Sequence, residues 1–359
     1  MNEAALVLED GSVFEGESFG FAPENGIASG EVVFNTTMTG YQEVMTDPSY
    51  AGQIVTFTTS HIGNYGVTSY DNESRSPFAR GMIVRDLSRR RSNWRSEGDL
   101  DQMLCEQKVP AIGGIDTRRL TRMLRDSGSM RGAFGTANES DLLAAAKKET
   151  GTSGIDLVAQ VTTNKPYSVN GNGKFHVVAF DFGIKSTILR CLTEFASVTV
   201  VPASTSVDEV VALNPHGIFL SNGPGDPEMV TYAPPVIREL VEKGIPTFGI
   251  CLGHQMLSLA FGGTTFKLPF GHHGGNHPVR NLETGAVEIT SQNHNFCVDP
   301  DSLSAVAEIT HINLNDQTNE GMRIKNARAF SVQYHPEAGP GPHDSRYLFG
   351  TFCELMEKK

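Results

Sequence analysis

The sequence predicts an α/β protein in which a mixed, strand-rich N-terminal domain precedes a mostly parallel sheet with flanking helices. In the second half of the 359-residue chain, apolar runs alternate with helical patterns, which is typical of a parallel sheet covered by helices. Short strand-like runs dominate the first half. A segment rich in Thr, Gly, Ser and Asn separates the two. We therefore assign residues 1–150 to the first domain, 151–173 to a linker and 174–359 to the second domain.

The first domain is predicted to open with a β-hairpin. Residues 6–14 contain two apolar runs around an Asp-Gly pair, and this pair suits a two-residue type I′ turn. Apolar runs at 31–34 and 53–57 predict two further strands. Apolar residues at helical spacing, with Asp116 or Thr117 as the cap, predict a helix at 117–127.

The second domain is predicted to alternate strands and helices before ending in further strands and a helix. Strands are predicted at 177–180, 198–201, 218–220, 247–250, 287–290, 296–298 and 329–333. Helices are predicted at 185–192, 207–213, 235–243 and 346–358. In such sheets ligands collect at the carboxyl ends of the parallel strands. Functional residues are therefore expected directly after these strands.

The composition excludes several classes of protein. Lys and Arg number 29 against 41 Asp and Glu, and the formal net charge of −12 argues against a general binder of nucleic acid or anionic membranes. No signal-peptide pattern opens the chain and no apolar window reaches the length of a membrane span. The five cysteines are scattered without CxxC spacing, which fits neither a disulfide framework nor a zinc site. We expect a cytoplasmic protein without a metal.

Cys251 stands between two glycines, in the sequence Gly-Ile-Cys-Leu-Gly-His-Gln, where a predicted strand meets a helical pattern. This arrangement is typical of a nucleophile elbow, because small flanking residues let the strand and the helix approach each other. The helix N-terminus favours the thiolate, which is the form that attacks carbonyl carbons. A buried structural cysteine is the alternative interpretation, but the paired glycines favour a nucleophile.

The tripeptide His335-Pro336-Glu337 is the candidate partner of this thiol. Proline biases His335 toward extended backbone, so we expect residues 335 and 337 to point to the same side of one element. His335 would then act as the base for Cys251 and later protonate the leaving amine, while Glu337 orients the imidazole. The alternative is a turn at the end of a strand with a solvated glutamate.

Two backbone amides are candidates for stabilising an oxyanion. The amide of Leu252 follows the nucleophile, which is the usual position of the first donor in an elbow. Gly223 lies in the loop 221–227, directly after a predicted strand, and offers an unobstructed N–H group. This loop lacks the Gly-Lys-Ser/Thr ending of a phosphate-binding P-loop. A tight turn between strand and helix is its alternative interpretation.

Taken together, the cysteine elbow and the His-Pro-Glu tripeptide resemble the class I (triad) glutamine amidotransferase family over residues 174–359. The resemblance narrows to the small, glutamine-hydrolysing subunit family of carbamoyl phosphate synthase, through matching stretches in both domains. These stretches are residues 33–43, 114–121, 270–278, 291–296 and 339–344. The first two matter most, because other amidotransferases lack this N-terminal domain.

The resemblance implies a substrate and a set of site residues. Cys251 would attack the side-chain amide of glutamine, giving a glutamyl thioester and ammonia, and water would then release glutamate. By matching motifs, glutamine would be held by Ser49, Gly223, Gly225, Leu252, Gln255, Asn293, Asn295 and Phe296. Asn295 departs from the glycine of the family motif. A main-chain contact there would survive the change, whereas a contact that needs positive φ would depend on the tolerance of asparagine for that region.

The resemblance also implies a partner and a purpose. A separate large subunit would bind ATP and Mg and make carbamoyl phosphate from bicarbonate and ammonia, for arginine and pyrimidine synthesis. The small subunit would need no cofactor and would pass ammonia through an internal channel, within a heterodimer or a higher oligomer of heterodimers. Two alternatives remain open: an amidotransferase subunit that serves another synthase, and a non-catalytic scaffold.

A basic segment in the first half has more than one interpretation. Three consecutive arginines at 89–91 stand near Trp94 and Arg95, a composition that nucleic-acid binders also use. In an acidic chain we interpret the segment as a solvated or partner-facing patch.

Overall fold

The structure, a computed structural model that describes residues 2–358, divides into two compact units. The first runs to Ser153 and includes Pro269–His273, and the second contains Gly154–Leu268 and the residues from Gly274 onward. Residues 269–273 were assigned to the second domain from the sequence. They group with the first unit because the amide of Ser129 donates to the oxygen of Pro269 over 2.8 Å and the rings of Phe34 and Phe270 stack.

A sheet that closes on itself forms the centre of the first unit. Its strands follow the order β1-β2-β8-β6-β4-β3-β9, and β5 and β7 form a separate pair. The strands are β1 (Asn2–Leu8), β2 (Val13–Gly20), β3 (Ile27–Asn35), β4 (Gln53–Phe57), β5 (His61–Ile62), β6 (Gly81–Ile83), β7 (Asp86–Leu87), β8 (Pro110–Gly113) and β9 (Met130–Gly135). The helices are α1 (Tyr41–Thr46), α2 (Leu100–Glu106), α3 (Thr117–Ser127) and α4 (Glu139–Lys148).

The N-terminal hairpin is confirmed, but its predicted turn type is wrong. β1 ends at Leu8 and β2 begins at Val13, so the connection is longer than an Asp-Gly pair. Of the two central residues of this turn, Gly11 has a positive φ of 89°, whereas the φ of Asp10 is not positive. A type I′ turn needs positive φ at both central positions. The Asp10 carboxylate instead accepts hydrogen bonds from the amide and hydroxyl of Ser12.

The second unit contains a long mixed sheet in the order β10-β12-β11-β13-β14-β19-β18-β17-β15-β16. Its strands are β10 (Tyr167–Val169), β11 (Phe175–Asp181), β12 (Ala196–Pro202), β13 (Gly217–Leu220), β14 (Thr247–Ile250), β15 (Thr265–Asn281), β16 (Val287–Val298), β17 (Ala307–Asn313), β18 (Asn319–Ile324) and β19 (Ala329–Val332). Its helices are α5 (Val158–Val161), α6 (Ser186–Thr193), α7 (Val207–Ala212), α8 (Ala233–Glu242), α9 (Leu252–Ala260) and α10 (Tyr347–Glu357).

The predicted parallel sheet is confirmed. Strands β12, β11, β13, β14 and β19 pair parallel in that order, and two clusters of buried apolar side chains lie on the sheet. The segment 151–173, predicted to be a linker, contains α5 and also β10, which adds an antiparallel edge strand beside β12. The strands predicted at 287–290 and 296–298 are parts of one continuous strand, β16.

This topology gathers several chain segments at one edge of the sheet. The carboxyl ends of β11, β13, β14 and β19 lie side by side because these strands run parallel. The segments that leave them carry the loop 221–227, Cys251 and the His335–Glu337 tripeptide. No helix within residues 2–358 is long and apolar enough to cross a membrane.

Candidate active site

Cys251 occupies a strained turn between β14 and α9. Its backbone has φ 55° and ψ −107°, a region that residues with a side chain rarely adopt. A Cβ atom on Gly249 would lie 2.7 Å from the Gly253 oxygen, and one on Gly253 would lie 2.1 Å from the Leu220 oxygen. Neither position has room for a side chain, so the two glycines allow the close approach of strand and helix that the elbow requires.

The surrounding main chain fixes the position of the thiol. The amide of Cys251 donates to the oxygen of Val332 at the end of β19 over 2.9 Å, and its Sγ donates to the main-chain oxygen of Asn293 over 3.5 Å. The amides of His254 and Gln255 both donate to the oxygen of Cys251. Cys251 is buried, so the nucleophile is held by three neighbouring elements and is shielded from bulk water.

His335 and Glu337 form a short hydrogen bond. The Nδ1 of His335 lies 2.7 Å from the Oε1 of Glu337, and both side chains are buried. His335 lies beyond β19, which ends at Val332, and the amide of Ala338 donates to the oxygen of His335 to close a turn. The imidazole and the carboxylate therefore meet across a turn, not along one face of a strand.

Lys185 completes the charge network, and the sequence analysis did not find it. Its Nζ donates to the Oε1 of Glu337 over 2.9 Å and to the oxygen of Ala338 over 2.6 Å. The side chains of Lys185 and Glu337 are 3% and 0% exposed, and a lysine this buried is almost always paired. A lysine at the start of a predicted helix is common on protein surfaces, so only the folded structure reveals this pairing.

The sequence Asp181-Phe182-Gly183 begins at the last residue of β11 and leads to Lys185. The Oδ1 of Asp181 accepts hydrogen bonds from the amides of Gly183 and Ile184, and its Oδ2 accepts one from the amide of Thr163. These bonds fix the chain between β11 and α6. The turn therefore serves to place Lys185 against the carboxylate of Glu337.

The charges in this network stabilise an imidazolium–carboxylate pair. Burial alone would lower the pKa of His335, but the Glu337 carboxylate and the Cys251 thiol together raise it above its usual range. Burial would raise the pKa of Glu337, but Lys185 and His335 outweigh it and hold that pKa well below its usual range. Glu337 is therefore ionised and His335 carries a proton in the resting site.

One nitrogen of the imidazole remains available for chemistry. Within residues 2–358, the buried Nε2 of His335 has no oxygen or nitrogen partner and interacts with the Cys251 thiol, whereas Nδ1 is occupied by Glu337. The influence of the Cys251 thiol on the pKa of His335 requires the two groups to be neighbours. A ring nitrogen that faces a thiol is well placed to exchange a proton with a group bound to that thiol.

The glycine loop follows β13 and packs against the start of α9. A Cβ atom on Gly223 would lie 2.2 Å from the Phe182 oxygen and 2.8 Å from a side-chain carbon of Leu252, so a larger residue does not fit there. Gly225 has φ 86°, a left-handed conformation that favours glycine. Leu252 is the first residue of α9. The N–H group of a first helical residue has no acceptor within the helix. Both proposed oxyanion donors thus lie close to Cys251.

Of the remaining candidate residues of the second unit, Gln255 lies on α9, and Asn293, Asn295 and Phe296 lie on β16. The Nε2 of Gln255 donates to the oxygen of Phe296 over 2.8 Å and to the Oε1 of Gln333 over 3.0 Å. Asn293 accepts the thiol hydrogen bond described above. Asn295 has no positive φ, so the backbone of this strand does not demand the glycine found in the family motif.

Ser49 belongs to the first unit. It lies in a short 3-10 helix, Pro48–Tyr50, where its amide donates to the Oδ1 of Asp47 over 2.9 Å. Ser49 is largely buried in this setting. Its contact with glutamine stays a prediction.

Comparison with known proteins agrees with this division of the chain. Residues 178–355 match the family described as glutamine amidotransferase class-I, and residues 6–134 match the carbamoyl-phosphate synthase small chain, CPSase domain. The carbamoyl phosphate synthase small chain of Chlorobaculum tepidum is 56% identical, over 99% of this chain and 98% of that protein. That of Xanthomonas axonopodis pv. citri is 51% identical over 98% of both chains. The chloroplastic small chain of Oryza sativa subsp. japonica is 48% identical over 99% of this chain and 83% of that protein.

The similarity to these relatives extends over nearly the whole chain and includes both of its halves. A match confined to the second half would indicate a class I amidotransferase without defining which kind. The matched N-terminal domain removes that ambiguity. The chain therefore belongs to the carbamoyl phosphate synthase small-chain family, with a class I glutamine amidotransferase domain in its second half.

Proposed function

We propose that this chain hydrolyses L-glutamine to glutamate and ammonia, and delivers the ammonia to a large subunit that makes carbamoyl phosphate from bicarbonate and ATP. Its relatives are small chains of carbamoyl phosphate synthase, and its second half belongs to the class I glutamine amidotransferases. The observation that carries the proposal is a buried cysteine at a helix N-terminus, beside a histidine that is hydrogen-bonded to a carboxylate.

The first half of the reaction forms a covalent intermediate. The protonated imidazole of His335 stabilises the thiolate form of Cys251, and this thiolate attacks the side-chain carbonyl carbon of glutamine. The amides of Leu252 and Gly223 donate hydrogen bonds to the oxyanion that develops. When the carbon–nitrogen bond breaks, His335 gives its proton to the leaving amine, and ammonia departs. The glutamyl group remains on Cys251 as a thioester.

The second half regenerates the thiol. His335 now accepts a proton from a water molecule, which attacks the thioester carbonyl carbon and releases glutamate with Cys251 as the leaving group. Glu337 accepts a hydrogen bond from Nδ1 throughout, which fixes the orientation and the tautomer of the ring. Lys185 acts one step further away as a positioning residue, because it holds the carboxylate of Glu337.

Glutamine binding is assigned to the residues that surround this centre. The amide of Gly225, the side chain of Gln255 and the β16 residues Asn293, Asn295 and Phe296 hold the substrate in the second unit. Ser49 supplies a further contact from the first unit. Polar groups in such number favour glutamine over an apolar analogue, because each would be left unpaired by a substrate without hydrogen-bonding groups.

The partner carries the remaining chemistry. In this proposal the chain uses no metal or cofactor of its own, while ATP and Mg bind to the large subunit in a cytoplasmic heterodimer or a higher oligomer of heterodimers. Ammonia passes to the partner through an internal channel, which keeps it from being protonated in solvent. The product then serves arginine and pyrimidine synthesis.

A glutaminase assay with a matched cysteine control tests the proposal. Cys251→Ala is expected to abolish glutamate formation, because no other group can carry the acyl intermediate. Cys191→Ala removes another buried thiol of the second unit, and it should retain activity. Glutamate formation by Cys251→Ala at the wild-type rate would refute the proposed role of this thiol.

A further inference from the structure

An exposed patch of aromatic and basic side chains lies in the first unit, and the proposed reaction uses none of it. We call it the Trp94 patch, and it consists of Met38, Tyr70, Arg89, Arg90, Arg91, Trp94 and Arg95. Trp94 is the single tryptophan of the chain and is 92% exposed, while Met38 and Tyr70 are 83% and 63% exposed. Neighbouring large apolar side chains that remain in water to this extent are typical of surfaces that bind another macromolecule.

The chain segments of the patch meet around one cavity of about 190 Å³. Thr39, Asp71 and Arg95 line this cavity, and they adjoin Met38, Tyr70 and Trp94 in the sequence. The guanidinium carbon of Arg95 lies 5.7 Å from the ring centroid of Tyr70, and its Nη2 lies 2.5 Å from the Oδ1 of Asp71. The segments that carry Met38, Tyr70, Trp94 and Arg95 therefore meet at this cavity, and the arginines at 89–91 lie just before Trp94 in the sequence.

Hydrogen bonds fix the backbone that presents Trp94. The amide of Ser96 donates to the oxygen of Asn93 over 3.1 Å, and the amide of Arg95 donates to the Asn93 side chain over 2.9 Å. On the preceding side, the amide of Ser92 donates to the oxygen of Asn64 over 2.9 Å. A preformed turn loses less conformational entropy on binding than a flexible loop. An aromatic anchor on such a turn is well suited to be an interface hot spot.

The charge of the patch opposes that of the whole chain. Four arginines lie at positions 89, 90, 91 and 95, whereas the chain has a formal net charge of −12. Arg95 pairs with Asp71, and Arg91 lies 3.6 Å from Asp99. Arg89 and Arg90 are exposed and form no ion pair with any residue in the described part of the chain. Glu43 and Asp71 line the same cavity as Arg95, so the excess positive charge comes from Arg89 and Arg90, and this charge fits a partner surface rich in carboxylates.

From these observations we infer that the Trp94 patch docks onto the large subunit, at an acidic surface with an apolar pocket for the indole ring. The inference rests on the proposed function, which requires such a partner. A second copy of this chain fits less well, because a two-fold interface formed by this patch would place arginines against arginines. Nucleic acid fits less well because the chain as a whole repels it.

The test measures the Kd of the full-length chain for the purified large subunit, at low and at raised salt, with matched control variants. Trp94→Ala is compared with Phe266→Ala, which removes an exposed aromatic ring of the second unit. The double variant Arg89→Glu with Arg90→Glu is compared with Lys147→Glu and Lys148→Glu, which change the charge equally at exposed lysines of the first unit. Circular dichroism confirms that each variant is folded.

Trp94→Ala should raise the Kd about tenfold or more at both salt concentrations, as expected for a hot-spot residue. The arginine variant should raise the Kd strongly at low salt and less at raised salt, because salt screens exposed charges. Both controls should leave the Kd within about twofold of the wild-type value.

An unchanged Kd in both patch variants would overturn the inference. So would patch variants that abolish self-association of the chain or binding to a DNA or RNA oligonucleotide while leaving the large-subunit Kd unchanged.

Glutaminase activity of the free chain distinguishes failure of this inference from failure of the proposed function, because the patch variants leave the catalytic residues intact. If the wild-type chain hydrolyses glutamine and the patch variants bind the large subunit with the wild-type Kd, only the assignment of the docking surface is wrong. If the wild-type chain binds no large subunit, both are wrong.

Discussion

At the scale of single residues, the site depends on a buried lysine that the sequence does not identify. Lys185 and Glu337 form an ion pair removed from water, and removal of one partner from a buried pair leaves an uncompensated charge. Lys185→Met should therefore lower the free energy of unfolding by about 3 kcal/mol or more. Urea unfolding measures this change.

Lys174→Met is the matched control for that substitution. Lys174 pairs with Glu357 at the surface, where both side chains are largely exposed, and exposed pairs contribute little to stability. If Lys174→Met lost as much free energy of unfolding as Lys185→Met, burial of the ion pair would not be the cause of the loss. Partial recovery of stability in Lys185→Met with Glu337→Gln would support the pairing, because the second change removes the uncompensated carboxylate.

The pH dependence of stability reports the charge on His335. The pKa of His335 is raised on folding by the Glu337 carboxylate and the Cys251 thiol, despite burial. Between the unfolded pKa of about 6.5 and the raised folded pKa, the folded state binds more protons than the unfolded state. The stability contributed by His335 is therefore complete below about pH 6.5 and decreases as the pH rises through the folded pKa.

The wild-type free energy of unfolding should accordingly fall, relative to that of His335→Gln, as the pH rises from about 6 to about 9. Urea titrations at several pH values measure this slope. Cys251→Ala should make the slope shallower, because the thiol contributes to the raised pKa. A slope of opposite sign would mean that His335 is neutral in the folded resting site.

At the scale of elements, the junction of β14 and α9 requires glycine. A Cβ atom on Gly253 would approach the Leu220 oxygen to 2.1 Å, so Gly253→Ala must separate α9 from β13. We expect this variant to lose about 1–3 kcal/mol of stability and most of its glutaminase activity, because Cys251 directly precedes the displaced helix. Thermal unfolding and a glutamate assay measure both effects.

Gly350→Ala makes the same chemical change in a helix with open space around it. Gly350 lies within α10, and a Cβ atom there would meet nothing within 4 Å. This control should gain about 0.5–1 kcal/mol of stability, because alanine has the higher helix propensity. Equal losses in both variants would contradict the steric explanation for Gly253.

The elements also show which parts of the structure the sequence could predict. The spacing of apolar residues was enough for β14, α3 and the presence of a parallel sheet, because these follow from local periodicity. The meeting of His335 with Glu337 was predicted correctly but for the wrong reason, since a turn and not a strand brings them together. Lys185 was missed because its partner lies far along the chain, and sequence periodicity carries no information about such pairs.

At the scale of the whole molecule, the chain is proposed to produce ammonia and the large subunit to use it. His335 is needed only to release ammonia from glutamine, whereas the synthase chemistry is proposed to lie on the large subunit. His335→Asn, combined with the large subunit, should therefore lose carbamoyl phosphate synthesis from glutamine and retain synthesis from added ammonium. Product formation with each nitrogen source measures this division. Loss of both activities in a complex that still assembles would contradict it.

The central claim is that Cys251 is the nucleophile that attacks glutamine, and active-site labelling tests it most directly. A glutamine analogue with a chloroketone in place of the carboxamide should alkylate Cys251, and peptide mass spectrometry locates the modified residue. The account predicts labelling of Cys251, loss of glutaminase activity in proportion to labelling, and protection by glutamine. Inactivation with the label on another residue, or full activity after complete labelling of Cys251, would contradict it.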